Sequence, residues 1–225
     1  MWEKMEEILG DTSKFQKIIF NPKHAVNKEV RHLYSMEEAI RSFLKELFEN
    51  EYLCEDDYKF MLPVGSNPGI LYGLCKVHKD EGTDNFIPPF RPILYSIGTC
   101  TYKMAKFLVP ILNEHTNNEF SVKDSFTLAE EVVKQDASLY MTSFDVKSLF
   151  TNIPLDETID ICIEKLYQNK RKIKGLNKKH CKKLLTLATK SSVFIFNETY
   201  YSQIDGVAMG STLSPTLANV FFISL

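Results

Sequence analysis

The chain has 225 residues, of which 44% are hydrophobic and 25% are charged, and its formal net charge is −2. This ordinary composition excludes a low-complexity chain and a protein that is basic throughout, and the length allows one sizeable domain. No apolar run approaches the roughly 20 residues that a membrane-spanning helix needs, and the N-terminus lacks the layout of a secretory signal. Five widely spaced cysteines without a C-x-x-C pair predict neither a disulfide framework nor a zinc site. We therefore expect an intracellular protein with reduced thiols, and the nucleus stays open as its compartment.

Residues 1–60 predict an N-terminal helical segment. Residues 1–34 carry little pattern, so we expect irregular structure or short helices there. Residues 35–53 predict an amphipathic helix, because apolar side chains recur three and four positions apart and Ser35 and Glu38 form a capping box.

Residues 61–225 form the second predicted unit, and it begins with a pair of strands. Many prolines and glycines divide residues 63–99 into short pieces, among which residues 70–79 and 90–95 read as strands joined by a polar loop. Basic side chains lie on these strands or beside the loop, so the pair could hold a triphosphate. Ordinary edge charges are the alternative. The basic residues are Lys76, His78, Lys79 and Arg91.

Helices and one hairpin are predicted for most of the remaining chain. Pro110 limits or kinks the first helix, Pro154 begins the third, and Asn177 caps the fourth. The predicted helices cover residues 100–118, 125–137 and 154–168 and a stretch after Asn177 that places Cys181, Leu184, Leu185 and Ala188 on one side. The hairpin covers residues 191–204.

Residues 140–154 hold the first candidate for chemistry. Residues 140–146 read as a buried strand that ends near Asp145, and Phe150 follows in the next turn. A carboxylate at the end of a buried strand is costly unless it is paired or bound to a cation. The alternative is an aspartate that caps the next turn.

A second small-residue stretch follows the hairpin. Gly206, Gly210 and their small neighbours would let another chain approach closely. Ser214 as N-cap and Pro215 as the first helical residue predict a final helix.

A basic cluster lies between these two stretches, in residues 165–183. It could bind phosphates, or it could be the solvated surface of a helix and a loop, and the sequence favours neither. Its candidate nucleic-acid-binding residues are Lys170, Arg171, Lys172, Lys174, Lys178 and Lys179.

Four motifs in this order resemble the fingers and palm of a reverse transcriptase, and the wording is closest to Penelope-like retroelements. LYGLCKVHK at 71–79 resembles the first fingers motif, and PFRPI at 89–93 resembles the second. SFDVKSLFTNIP at 143–154 resembles motif A. DGVAMGS at 205–211, with LSP at 213–215, resembles motif B.

The resemblance implies an α+β fold, namely an incomplete right-hand polymerase with fingers and part of a palm. It implies RNA-directed DNA synthesis from an RNA template, a DNA primer and a dNTP, with two Mg²⁺ ions as cofactors. By resemblance, Asp145 and the backbone carbonyl of Val146 hold metal, and Phe150 is a steric gate against the ribose 2′-hydroxyl. The triphosphate would be held by Arg91 with Lys76 or Lys79, and the floor of the site would be lined by Gly210 and Ser211.

The chain departs from the family beyond motif B. The Tyr/Phe-x-Asp-Asp hairpin of motif C, the thumb and the downstream GIY-YIG nuclease of many relatives are not in this sequence. Asp-Asp occurs at Asp56-Asp57, ahead of the fingers, where it cannot serve as motif C. We therefore expect that this chain alone does not polymerise. The alternatives are a non-catalytic nucleic-acid-binding fragment and a decayed product without function.

Overall fold

The computed structural model describes residues 2–19, 28–76, 88–114, 122–136, 138–169 and 171–224. Within these ranges the protein has a mixed α+β fold with one five-stranded sheet, in agreement with the predicted fold class. None of the described helices is long and apolar enough to cross a membrane. The helices are α1 (Trp2–Leu9), α2 (Lys28–Glu49), α3 (Glu55–Met61), α4 (Tyr102–Asn113), α5 (Ser125–Val133), α6 (Leu149–Asn152), α7 (Leu155–Tyr167), α8 (Lys178–Lys190) and α9 (Ser214–Phe222). The strands are β1 (Phe15–Lys17), β2 (Gly69–Cys75), β3 (Phe90–Tyr95), β4 (Val193–Phe196) and β5 (Thr199–Gln203).

The sheet has the order β1-β5-β4-β2-β3. Neighbouring strands of the sheet are antiparallel, except that β2 and β4 are parallel to each other. Both predicted strand pairs are confirmed, as β2 with β3 and β4 with β5. Residues 77–79 of the first predicted strand lie outside the described residues.

The N-terminal residues join this sheet. β1 pairs with β5, so that Phe15 lies opposite Gln203. Met5 of α1 is fully buried, and a Cβ on Gly73 of β2 would lie 2.9 Å from its sulfur. The short helix α1 agrees with the prediction of irregular structure or short helices for residues 1–34. The strand β1 is not predicted, because three residues are too few to show an alternating pattern.

A larger hydrophobic core lies among the helices. The apolar face predicted for residues 35–53 is buried there through Ile40, Phe43, Leu44 and Leu47. The predicted start at Ser35 is wrong, because α2 begins at Lys28. The Ser35 hydroxyl donates to the carbonyl of His32 at 2.7 Å, so it is satisfied inside the helix and does not cap it.

The other predicted helices are largely confirmed. Pro110 lies inside α4, and α7 begins directly after Pro154. Asn177 caps α8 as predicted, since its side-chain oxygen accepts the amide of His180 at 2.9 Å. Residues 115–118 and 137, in two of the predicted helices, lie outside the described residues.

The strand predicted at residues 140–146 is wrong, because the structure has irregular backbone there. Every described residue between 122 and 148 is exposed except Thr127. No strand in the described ranges pairs with residues 140–146. A β-forming sequence without a partner leaves its backbone groups to water, so composition alone does not make it a strand.

Met5→Ala should lower the free energy of unfolding by about 2–5 kcal/mol, because it leaves a cavity between α1 and the sheet. Urea denaturation of the whole chain measures the effect. The matched control is Met141→Ala at an exposed position, where the change should stay within about 0.5 kcal/mol. Equal effects of the two substitutions would mean that α1 does not pack on the sheet as described.

Candidate functional site

The candidate site is organised around residues 205–213, named here the glycine loop, which connect β5 to α9. The loop bonds through its backbone to one predicted motif and to the strand that carries another. The amide of Val207 donates to the carbonyl of Phe150 at 2.8 Å, and the amide of Leu94 in β3 donates to the carbonyl of Met209 at 2.7 Å. Residues that are far apart in sequence, in α6 and β3, are therefore joined across one short loop.

Two glycines make these approaches possible. A Cβ on Gly206 would lie 2.7 Å from the carbonyl oxygen of Thr151, and a Cβ on Gly210 would lie 2.4 Å from that of Leu94. Both residues have positive φ angles, of 73° and 111°, which side chains rarely allow. Close approach at the two glycines is therefore present, and it is made by other segments of the same chain.

Hydroxyl groups fix the rest of the loop. Ser96 Oγ donates to the carbonyl of Gly210 at 3.2 Å, and Ser214 Oγ donates to that of Ala208 at 2.6 Å. Ser214 is the first residue of α9, and Leu213 occupies the N-cap position. The predicted N-cap role of Ser214 is therefore wrong, because its hydroxyl is committed to the loop.

Asp205 anchors the start of the loop. Its carboxylate accepts hydrogen bonds from Lys14 Nζ at 2.8 Å and from the amide of Leu155 at 3.1 Å. Burial raises the pKa of this carboxyl, but the bonds from Lys14, Leu155 and the Gly206 amide outweigh it and hold the pKa below the ordinary value of 3.8. Sequence reasoning missed this pair because its members lie 191 positions apart.

Asp145, the predicted catalytic residue, does not lie at the end of a buried strand as the sequence predicts. Asp145 is exposed in irregular backbone, and the neighbouring Val146 is also exposed. Phe150 is half-buried in α6, where its carbonyl bonds to the glycine loop. The structure therefore brings Phe150 to the loop and leaves Asp145 in solvent, five positions earlier.

The described residues contain no group of three or more His, Cys, Asp or Glu side chains that could hold a metal ion. Mg²⁺ prefers an octahedral set of hard oxygen ligands, and Asp145 with the carbonyl of Val146 supplies too few of them. We therefore derive no metal-dependent step from these residues.

The β2–β3 hairpin presents Arg91 on an exposed face. The register places Leu74 opposite Arg91, Tyr72 opposite Ile93 and Ile70 opposite Tyr95, so these side chains share one face. The other face is buried through Leu71 and Leu94. Arg91 thus lies three residues before Leu94, which contacts the glycine loop, and Lys76 directly follows β2. Lys79 and His78 lie outside the described residues.

The basic cluster is partly committed to holding the helices together. Lys172, Lys174 and Lys183 lie over the rings of Tyr52, Phe107 and Phe43, at 5.6, 5.1 and 3.9 Å from the ring centres. Lys182 pairs with Asp160 on α7. Exposed members that make neither an ion pair nor a ring contact with another described residue are Arg171, Lys178 and Lys179. Lys170 lies outside the described residues.

A cleft in the described ranges lies against the glycine loop, among α2, α8 and α9, and Asp145 and Arg91 are not part of its lining. Its lining includes several hydroxyls whose protons are already engaged. Thr99 donates to the carbonyl of Ser96, and Thr189 donates to that of Leu185. The cleft is therefore part of the packing around the loop.

The predicted site residues separate into two groups. The glycine loop brings together Phe150, Gly210 and the strand that carries Arg91, and Ser211 lies half-buried within it. No backbone hydrogen bond of the described residues joins Asp145 or the basic cluster to the glycine loop. Comparisons with protein-family models, with curated proteins and with solved structures found no match to this chain.

Asp205→Asn should lower the free energy of unfolding at neutral pH by about 1 kcal/mol, after a discount for the partial exposure of the carboxylate. Because the folded-state pKa is below 3.8, this stabilisation is complete above that value and is lost as the pH falls through the lowered pKa. The variant should therefore lose less stability than the parent chain on acidification below pH 3.8.

Denaturation at several pH values measures this difference. Asp145→Asn is the matched control, because its carboxylate is exposed, and its effect should stay within about 0.5 kcal/mol. An Asp205→Asn variant as stable as the parent at neutral pH would contradict the anchoring role.

Proposed function

We propose that this chain is the fingers and part of the palm of a reverse transcriptase, an RNA-directed DNA polymerase of a Penelope-like retroelement. Its substrates would be an RNA template, a DNA primer and a dNTP. The order of the four sequence motifs supports the assignment. The observation that carries it is the glycine loop, whose backbone bonds to the Phe150 carbonyl on one side and to the Leu94 amide on the other.

This geometry suits a nucleotide site because backbone bonds fix its parts relative to one another. Phe150 as a steric gate must be held at a constant distance from the floor that Gly210 and Ser211 would form, and the Val207–Phe150 bond supplies such a restraint. Arg91 and Lys76 would hold the triphosphate, because a guanidinium and an ammonium on a strand pair can reach several phosphate oxygens. Lys79 has the same proposed role.

The proposed cofactor is Mg²⁺, which supplies charge stabilisation for nucleotidyl transfer when it is bound. Asp145 and the carbonyl of Val146 are the proposed ligands from this chain, and carboxylates beyond Asp145 are needed for a metal pair.

A binding measurement tests the proposal without requiring catalysis. A fluorescent DNA primer with a dideoxy end, annealed to an RNA template, is titrated with the chain in Mg²⁺ and followed by anisotropy. The dNTP complementary to the next template base should tighten binding, because it bridges the template and Arg91. The matching rNTP should do so less, because Phe150 would oppose its 2′-hydroxyl.

Arg91→Ala should remove the effect of the dNTP, since a charge-assisted contact of about 1.5–3 kcal/mol corresponds to roughly ten- to a hundredfold in affinity. Lys103→Ala, at an exposed position on α4, is the control and should retain the effect. If the parent chain binds the duplex equally well with the complementary dNTP, with the matching rNTP and without a nucleotide, the proposal is wrong.

A second candidate is a non-catalytic nucleic-acid-binding module that uses the basic cluster. The observation in its favour is that Arg171, Lys178 and Lys179 are exposed without an ion pair to another described residue. Such cations can neutralise phosphates without sequence preference.

The salt dependence of duplex DNA binding measures how many cations take part. If three cations contact phosphates, the slope of log K against log salt should be about −2.7, at roughly 0.9 per phosphate. The double substitution Lys178→Gln and Lys179→Gln should make the slope shallower by about 1.8. Lys182→Gln is the control because Lys182 already pairs with Asp160. An unchanged slope in the double variant would exclude this surface.

A further inference from the structure

We propose that two copies of this chain associate reciprocally, with α5 of each copy packed on the exposed face of the β2–β3 hairpin of the other. The two surfaces are named the α5 face and the hairpin face. The association goes beyond the proposed function and does not depend on it.

The α5 face is an apolar helix face without a partner among the described residues. No residue of α5 is buried. At helical spacing, Phe126, Ala129 and Val133 lie on one side of α5, with Leu128 and Val132 next to them. Phe126 and Val133 are each 84% exposed. The opposite side carries Thr127, Glu130, Glu131 and Lys134. Such a pattern is typical of a helix that packs on another layer.

The hairpin face is an apolar sheet face. Alternation along β2 and the register with β3 place Ile70, Tyr72 and Leu74 beside Tyr95, Ile93 and Arg91. The exposed fractions of Ile70, Leu74 and Tyr95 are 55%, 50% and 48%. A helix layered on one face of a sheet is a standard solution for covering both surfaces, and contiguous exposed apolar patches often mark interaction sites.

Charge complementarity identifies a second copy as the occupant. The hairpin face has a basic end, formed by Arg91 and by Lys76, which continues the alternation of β2. The α5 face has an acidic border, because Glu130 and Glu131 flank its apolar arc on both sides and Asp124 caps the helix. Each copy therefore carries both halves of one contact.

Two-fold symmetry doubles this contact. In a dimer with a two-fold axis, α5 of the first copy covers the hairpin face of the second. By symmetry, α5 of the second copy covers the hairpin face of the first. The hairpin face includes Arg91, so the association would compete with a nucleotide held there. The association itself needs no nucleotide, and its failure is thus separate from a failure of the proposed polymerase function.

Sedimentation equilibrium of the full chain over a range of concentrations, without nucleotide or nucleic acid, tests the proposal. The parent chain should show a monomer–dimer equilibrium. Val133→Glu on the α5 face and Leu74→Glu on the hairpin face should each raise the dimer dissociation constant by at least about tenfold, because each buries an unpaired carboxylate. Ile19→Glu, at an exposed position on neither surface, should leave it unchanged.

Mixing the two variants gives the decisive result. A mixed dimer regains one intact contact, between α5 of the Leu74→Glu copy and the hairpin of the Val133→Glu copy. The mixture should therefore dimerise more tightly than either variant alone. A monomeric parent chain, dimers insensitive to both substitutions, or a mixture no tighter than its components would each overturn the proposal. Circular dichroism of each variant checks that it is folded.

Discussion

The glycine loop is the constraint on which the rest of the structure depends, because it joins two separate hydrophobic cores. Val207 belongs to the core among the helices, and Ala208 packs against the core between α1 and the sheet. The backbone bonds to Phe150 and Leu94 hold the loop at this junction. A larger residue at Gly206 or Gly210 would force its Cβ against the backbone of Thr151 or Leu94, so the two cores could not meet in this arrangement.

Sequence patterns predicted the elements whose information is local. The helices with an apolar stripe, the Asn177 cap and both hairpins could be identified because their period and turn residues lie within a short window. The need for glycine at residues 206 and 210 was also predictable. The β1 strand and the Lys14–Asp205 pair could not be, since each is defined by a partner almost the whole chain away.

Basic residues show why a charge pattern is a weaker predictor than an apolar one. In sequence, residues 165–183 form one cluster of cations. In the structure, Lys172 and Lys183 lie over aromatic rings, and Lys182 meets a carboxylate on α7. The long aliphatic stem of lysine lets its charge serve a neighbouring helix as readily as a ligand. Charge density in the sequence therefore overstates the number of cations that remain available to phosphates.

Asp145 and the α5 face have a common physical cause. Residues 138–148 have a β-forming composition, yet the described part of the chain offers them no strand to pair with. An unpaired segment cannot form the sheet surface on which an adjacent amphipathic helix would pack, so the apolar side of α5 stays in solvent. Asp145, at the end of this segment, stays in solvent for the same reason. If residues 140–146 paired with another strand, Asp145 would be held at a strand end and the new sheet surface could cover α5. The exposure of Asp145 and the exposure of the α5 face therefore both follow from the lack of strand pairing at residues 140–146.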